Sequence, residues 1–307
     1  MNKKIISLMV AGIVTVSLTG CTNKENNVEN NKSGYTITHE LGETTLKEEP
    51  QRIAALEFSY VDALVSLDKE VVAIADDLDK TRIIEEVRSN LGEYVSLGSR
   101  KTPSLEALME VSPDLIIADP LRHKDIQKEL EQIAPTIYID STSVGYDEIL
   151  SAFEQIGKAV GKEDEANKLI DEHKASMKKG STSANKLGKV AIGVVQDGML
   201  SLQTDSSYVM ESLKDFDITN ITDSKDSRHQ VTLEQLVDMN PDTLIIMTDE
   251  KDADFKQFKN NPLWNKLKAI ENGNYYEVDR TLWLFSRGLI STEVMGEEFE
   301  GILNEAK

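Results

Sequence analysis

The sequence predicts an α/β protein of two similarly built lobes joined by a helical segment, and three observations carry that expectation. One segment is used twice. Ser104-Leu105-Glu106-Ala107-Leu108-Met109-Glu110-Val111-Ser112-Pro113-Asp114, running into Leu115-Ile116-Ile117, has a gapless counterpart 128 residues later. The counterpart is Thr232-Leu233-Glu234-Gln235-Leu236-Val237-Asp238-Met239-Asn240-Pro241-Asp242, running into Thr243-Leu244-Ile245-Ile246. Each copy reads as a capped amphipathic helix, a Pro-Asp stop and a buried strand. Short apolar runs also alternate with helical periods around both copies, which argues for parallel sheets wrapped by helices. Between the copies lies a longer stretch of helical period, the natural link. Ligands favour the crevice between two such lobes.

Taken in order, residues 1–20 carry processing information. Lys3 and Lys4 precede an apolar stretch from Ile5 to Leu18, then Leu18-Thr19-Gly20-Cys21, a secretory signal whose last tetrapeptide fits a lipoprotein cleavage box. The apolar run is too short to span a bilayer. Cys21 is the only cysteine, which excludes disulfides and thiolate metal clusters and makes it the expected lipidated terminus. The bland alternative is a secreted precursor with a chance cysteine. Residues 21–34 are rich in Asn, Lys and Glu without apolar periodicity and read as a tether from the lipid to the folded body.

The first lobe is expected over residues 35–143. Strands are predicted at Arg52–Leu56, Val71–Ala75, Leu115–Ala118 and Thr136–Ile139, with helices at Tyr60–Leu67, Leu105–Val111 and Ile126–Ile133. Over 144–180, Ile149, Phe153, Ile156, Val160, Ala166, Leu169 and Ile170 recur near helical spacing, with Gly157 and Gly161 as weak points. One long linking helix, or two in line, is the expectation. The second lobe, 181–307, repeats the alternation with strands at Val190–Val195, Leu244–Met247 and Tyr275–Val278 and a closing helix at Glu293–Leu303. The folded part of about 270 residues is enough for two lobes with their own cores.

Composition narrows function. The chain carries 34 basic against 54 acidic residues, a net charge of −20, which repels nucleic acid and anionic headgroups. No glycine-rich phosphate loop, Walker lysine or serine elbow is present. The four histidines, His39, His123, His173 and His229, are scattered without zinc spacing, and His173 is expected to face solvent among charged neighbours. Carboxylate pairs are too common in so acidic a chain to single out any. The sequence reads as a binding protein rather than an enzyme, with no cofactor and no protein-held metal.

Arginine stands out by scarcity, eight against twenty-six lysines. Its planar fork matches carboxylates two bonds at a time, which an ammonium cannot do. Arg82, Arg122 and Arg280 follow predicted strands, Arg287 comes seven residues after Arg280, and Arg100 lies in the loop entering the first repeated helix, so several sit at the ends where open α/β sheets bind ligands. Any one alone reads equally well as a surface salt bridge. Five at such loops of both lobes read as a site. Arg228 and His229, just before the second repeated helix, are weaker candidates. Arg52 opens a strand and Arg88 lies within a helix, so both are read as structural. Glu106 and Glu234 occupy matching first turns, where a glutamate favours the helix dipole. Their matching places on two lobes also let them face one symmetrical partner.

These features together resemble the siderophore and vitamin B12 class of ABC-transporter substrate-binding proteins. The lipobox, Pro50-Gln51-Arg52-Ile53-Ala54-Ala55-Leu56, the doubled Ser/Thr-Leu-Glu helix with its Pro-Asp, and the linking helix carry the resemblance over essentially the whole mature chain. It implies two Rossmann-like α/β lobes bridged by a long α-helix, the class III periplasmic-binding arrangement, with modest closure on ligand. In that family a glutamate of each lobe docks on permease arginines, and Glu106 and Glu234 match those positions. Within it, the motifs around Arg100, Arg122, Arg280 and Arg287 look like those of receptors for ferric citrate and staphyloferrin A, which use an arginine-rich basin. Arg82, Arg100, Arg122, Arg280 and Arg287 fall on the matching motifs. The staphyloferrin A branch also uses a histidine in the second lobe. This chain has none between Val190 and Arg228, which favours ferric citrate.

The expectation is therefore a monomeric, lipid-anchored receptor on the extracytoplasmic face of the cell membrane, handing an anionic Fe(III)–citrate-type complex to an ABC permease. The iron arrives already coordinated. The same scaffold with a catecholate, hydroxamate or haem cargo is the nearest rival, haem resting on Tyr208, Tyr275 and Tyr276 as axial candidates. A surface sensor or enzyme on a similar frame is the rival of a different class.

Overall fold

Short apolar runs such as Leu115–Ala118 are buried along their whole length, as parallel strands covered on both faces must be. A computed structural model describes residues 34–141, 145–179, 184–222, 224–249 and 251–306, and residues 34–307 form one compact unit. The expectations for the signal, for Cys21 and for the tether as far as Ser33 lie outside the described residues.

The first half opens with an antiparallel hairpin, β1 (Tyr35–His39) and β2 (Gly42–Leu46). A parallel five-stranded sheet follows, built from β3 (Ile53–Ala55), β4 (Val71–Ile74), β5 (Val95–Ser96), β6 (Leu115–Ala118) and β7 (Thr136–Tyr138) in the order β5-β4-β3-β6-β7. Its helices are α1 (Phe58–Ser66), α2 (Glu85–Arg88), α3 (Leu105–Val111) and α4 (Gln127–Ile133).

The link departs from expectation. Rather than one helix or two in line, α5 (Tyr146–Ala159) and α6 (Glu163–Lys179) fold back on each other. Tyr146 at the start of α5 meets His173 late in α6, with ring centroids 5.8 Å apart. At the turn, a Cβ on Gly157 would stand 2.3 Å from that of Ala166, and Gly161 adopts φ +72°. The two glycines flagged as weak points thus make the reversal, one by permitting close approach and the other by taking left-handed backbone. His173 is consequently not solvent-facing. It is 1% exposed and pairs with Glu293 at 2.8 Å.

The second half contains β8 (Lys189–Gln196), β9 (Met199–Gln203), β10 (Thr219–Asn220), β11 (Arg228–Val231), β12 (Thr243–Thr248) and β13 (Tyr275–Asp279). The sheet runs β11-β9-β8-β12-β13, with β10 beside β8. It is mixed rather than purely parallel, because β9 turns back on β8 and β11 pairs antiparallel with β9. Helices α7 (Tyr208–Ser212), α8 (Leu233–Met239), α9 (Ala253–Lys259), α10 (Lys268–Glu271) and α11 (Leu289–Glu305) complete it.

The repeated segment makes the same join twice. Ser104 and Thr232 cap α3 and α8 through their hydroxyls, and Ser112 and Asn240 end them in left-handed backbone. Asp114 then accepts from the amides of Gln51 and Arg52 at 2.8 Å, and Asp242 accepts from Lys189 at 2.8 Å. The Pro-Asp pair therefore ends a helix and seats the next strand against the first strand of its own sheet.

Each half has a buried cluster of its own, around Leu108, Ile116 and Tyr138 in the first and around Leu236, Leu244 and Trp264 in the second. A third cluster runs through both halves, including Val61 and Leu64 of α1 with Met295 and Phe299 of α11. Asp62, 1% exposed on α1, accepts from the amides of Ile290 (3.2 Å) and Ser291 (2.9 Å) and from the Ser291 hydroxyl. It thereby satisfies two of the orphan donors that begin α11.

Candidate functional site: an arginine basin between the halves

The carboxyl ends of the sheet strands of both halves deliver their loops to one cavity of about 630 Å³. Arg82 arrives on the short turn after β4, Arg100 on the loop after β5 and Arg122 on the loop after β6. From the second half come Arg228 at the start of β11, Arg280 directly after β13, and Arg287 just before α11. All six sequence-singled arginines line this cavity, and Arg52 and Arg88 do not. Arg52 donates to the carbonyls of Val111 (2.6 Å) and Ser112 (3.3 Å), closing the end of α3. Arg88 donates to the carbonyls of Lys80 and Ile83 and pairs with Glu85.

His229 falls outside the lining. Successive strand residues point to opposite faces, so with Arg228 directed at the cavity its neighbour in β11 is turned away. None of Tyr208, Tyr275 and Tyr276 lines the cavity either; the Tyr208 hydroxyl is bonded to Thr292 at 2.6 Å and that of Tyr275 to Glu277 at 2.5 Å. Among the described residues, the three tyrosines that a haem cargo would use as axial ligands are therefore not in its wall.

The guanidinium groups are held by partners that composition could not single out. Asp77 accepts from the Arg100 amide (2.8 Å), from Arg100 Nε (2.9 Å) and from Arg82 Nη1 (2.7 Å). Asp77 and Leu78 both take left-handed backbone, φ +57° and +60°, a costly conformation for two successive non-glycine residues. Burial pushes the Asp77 carboxyl up, but the hydrogen bonds from Arg100 outweigh it and hold the group below its usual range.

Glu57, directly after β3, is 3% exposed. Its Oε2 accepts from Arg100 Nη1 at 3.1 Å, and its Oε1 lies 3.0 Å from Arg122 Nε. Burial pushes its carboxyl up to about 7 against the pull of Arg100 and Arg122. His123 is fully buried and kept neutral by that burial. Its Nδ1 accepts from the Asp119 amide (2.9 Å), so the proton sits on Nε2 and is donated to the Arg100 carbonyl (2.7 Å). It positions Arg100 from behind.

Aromatic rings from both halves support the charges. Arg100 stacks 4.0 Å from the Phe58 centroid, Arg82 4.8 Å from that of Phe285, and Arg287 5.1 Å from that of Tyr208. Arg287 also donates to the Ser141 carbonyl across the halves at 3.1 Å. Arg280 lies 3.6 Å from Asp252, and its Nε is buried without an acceptor. Counting Lys101, seven cationic side chains face two carboxylates in the lining, although the chain as a whole is strongly acidic. Such a basin selects anions that offer several oxygens in fixed directions. Glu106 and Glu234 lie elsewhere, exposed in the first turns of α3 and α8.

The periplasmic binding protein family matches residues 53–282. This chain belongs to that family. It is 37% identical over 303 residues to the Fe(3+)-citrate-binding protein YfmC of Bacillus subtilis, covering 97% of this chain and 96% of that protein. It is 35% identical over 260 residues to the Fe(3+) dicitrate-binding periplasmic protein FecB of Escherichia coli, covering 84% and 86%. Among solved structures, the petrobactin-binding protein YclQ of B. subtilis superposes with a TM-score of 0.75 at 26% identity, covering 89% of this chain and 100% of that one. For this family member, no helix among the described residues is long and apolar enough to cross a membrane.

Proposed function

We propose that the protein is the lipid-anchored, extracytoplasmic binding component of an ABC importer and that it captures an anionic Fe(III)–citrate-type complex. The observation that carries this reading is the convergence of six guanidinium groups from both halves on one cavity. Citrate chelates of Fe(III) present surplus carboxylates, and each charge-assisted bond to such a group contributes on the order of 1.5–3 kcal/mol. Part of that gain is offset, since Arg82, Arg100 and Arg122 must exchange Asp77 and Glu57 for the ligand. The relatives named for ferric citrate and dicitrate, matched along most of their length, support the same cargo. They also support a role in binding and delivery rather than in catalysis. Glu106 and Glu234, exposed at equivalent points of α3 and α8, are proposed to dock on a permease. Cys21 is proposed to carry the lipid.

The test is a titration with ferric citrate. Arg100→Ala and Arg287→Ala are each expected to weaken binding about 10- to 100-fold, as losing a charge-assisted contact of this size requires. Unchanged affinity in both would remove the basin from the binding site. Tighter binding of a neutral hydroxamate or a catecholate than of ferric citrate would replace the cargo while leaving the transporter role.

A further inference from the structure

We propose that Glu57 takes up a proton when the anionic ligand enters the basin and then serves as a hydrogen-bond donor to a ligand carboxylate. The inference rests on the anionic cargo proposed above. Its geometric basis is that an acid is built into the wall of an anion site. Glu57 lines the cavity, yet its side chain is 3% exposed, so water cannot solvate its charge. Arg122 Nε stands 3.0 Å from Oε1 but outside hydrogen-bond geometry, and that buried oxygen has no hydrogen-bond donor. The neighbouring Ser59 hydroxyl, also in the lining, is likewise buried without a partner.

The charges facing Glu57 come from every surrounding element. Arg100 and Arg122 stabilise its anion, Asp119 at the end of β6 opposes it, and the fields of Tyr60 and Arg287 are coupled to it. Burial outweighs the pull of Arg100 and Arg122 and leaves the carboxyl titrating at about 7. A ligand carboxylate drawn to Arg100 and Arg122 competes for the same guanidinium faces and adds a like charge beside Glu57. Two carboxylates sharing such a site cannot both stay ionised. One proton, given up by a buffer acid whose conjugate base stays in solution, binds Oε1 and turns the repulsion into an O–H···O⁻ hydrogen bond. It also releases both guanidinium groups towards the ligand. A neutral ligand supplies no such charge, so the uptake is specific to an anionic cargo.

The experiment is calorimetric titration of ferric citrate at pH 8 in two buffers of different ionisation enthalpy, on wild type and Glu57→Gln. The ligand's own protonation is common to both proteins and cancels in the difference. Wild type is expected to take up more protons than the variant, by a number approaching one. From pH 7 to 9 its affinity is expected to fall by up to about tenfold per pH unit relative to the variant. Equal proton counts would overturn the inference and leave the cargo reading intact; no binding by wild type would overturn both. Should the variant not bind, the ¹³C carboxyl resonance of Glu57 in wild type with diamagnetic Ga(III) citrate decides. A protonated group at pH 8 supports the inference, and an ionised one sinks it.

Discussion

Glu57 is pulled in two directions, upward by loss of water and downward by Arg100 and Arg122, and the upward pull prevails. Its folded titration point therefore lies above its unfolded one. Between roughly pH 4.5 and 7 the native state binds more protons than the unfolded chain, so stability falls as pH rises through that window. The ligand-free wild type is expected to lose on the order of 2–3 kcal/mol relative to Glu57→Gln between pH 5 and pH 8. Urea denaturation at the two pH values measures this, and parallel pH profiles would contradict it. Legibility at this scale followed contrast. Eight arginines against twenty-six lysines could be weighed one by one, whereas Glu57 and Asp77 were hidden among 54 acids. Their position just past β3 and β4 was a usable signal, since the strand-end rule that located the arginines applies equally to acids. His173 had a signal too. Ala166, Ile170, His173 and Met177 follow helical spacing along the buried face of α6, which outweighs its charged neighbours.

Helices and strands here are decided by short-range grammar, and their directions are decided by contact. The caps at Ser104 and Thr232, the left-handed stops and the Pro-Asp pairs act within a dozen residues, so both repeated units were readable. The reversal between α5 and α6 was not, because Gly157 reads as a weak point until Ala166 is known to press against it. Gly157→Ala is expected to destabilise by roughly 1–3 kcal/mol through overpacking. Adding Ala166→Gly should recover part of the loss. Denaturant midpoints of the two single variants and the double variant test the contact, and strict additivity would mean the helices do not meet there. The antiparallel β9 and β11 escaped notice for a related reason. Gln196-Asp197-Gly198-Met199 is a tight hairpin signal, but the six-residue apolar run before it, Val190–Val195, already read as a complete parallel strand.

Across the whole molecule, the halves share packing and polar pins rather than meeting through a flexible join. Asp62 holds the start of α11, and Arg287 reaches Ser141. Asp62→Ala would strand the amides of Ile290 and Ser291 and is expected to cost roughly 1–3 kcal/mol, read from chemical denaturation. Charge reversal at Glu106 and Glu234 is expected to abolish iron uptake in cells while titration still shows ferric citrate binding. Normal uptake would reduce both residues to helix-dipole partners. The α/β alternation, the doubled unit, the acidic surface and the unusual placement of arginine were determined by sequence alone, because propensity, capping and composition act locally or on average. Whether six guanidinium groups line one cavity, which buried acids hold them, and how the linking helices run were decided only in three dimensions. Those outcomes depend on contacts between residues far apart in the chain, such as Glu57 with Arg122 or Asp62 with Ser291, and no local pattern encodes the distance between them.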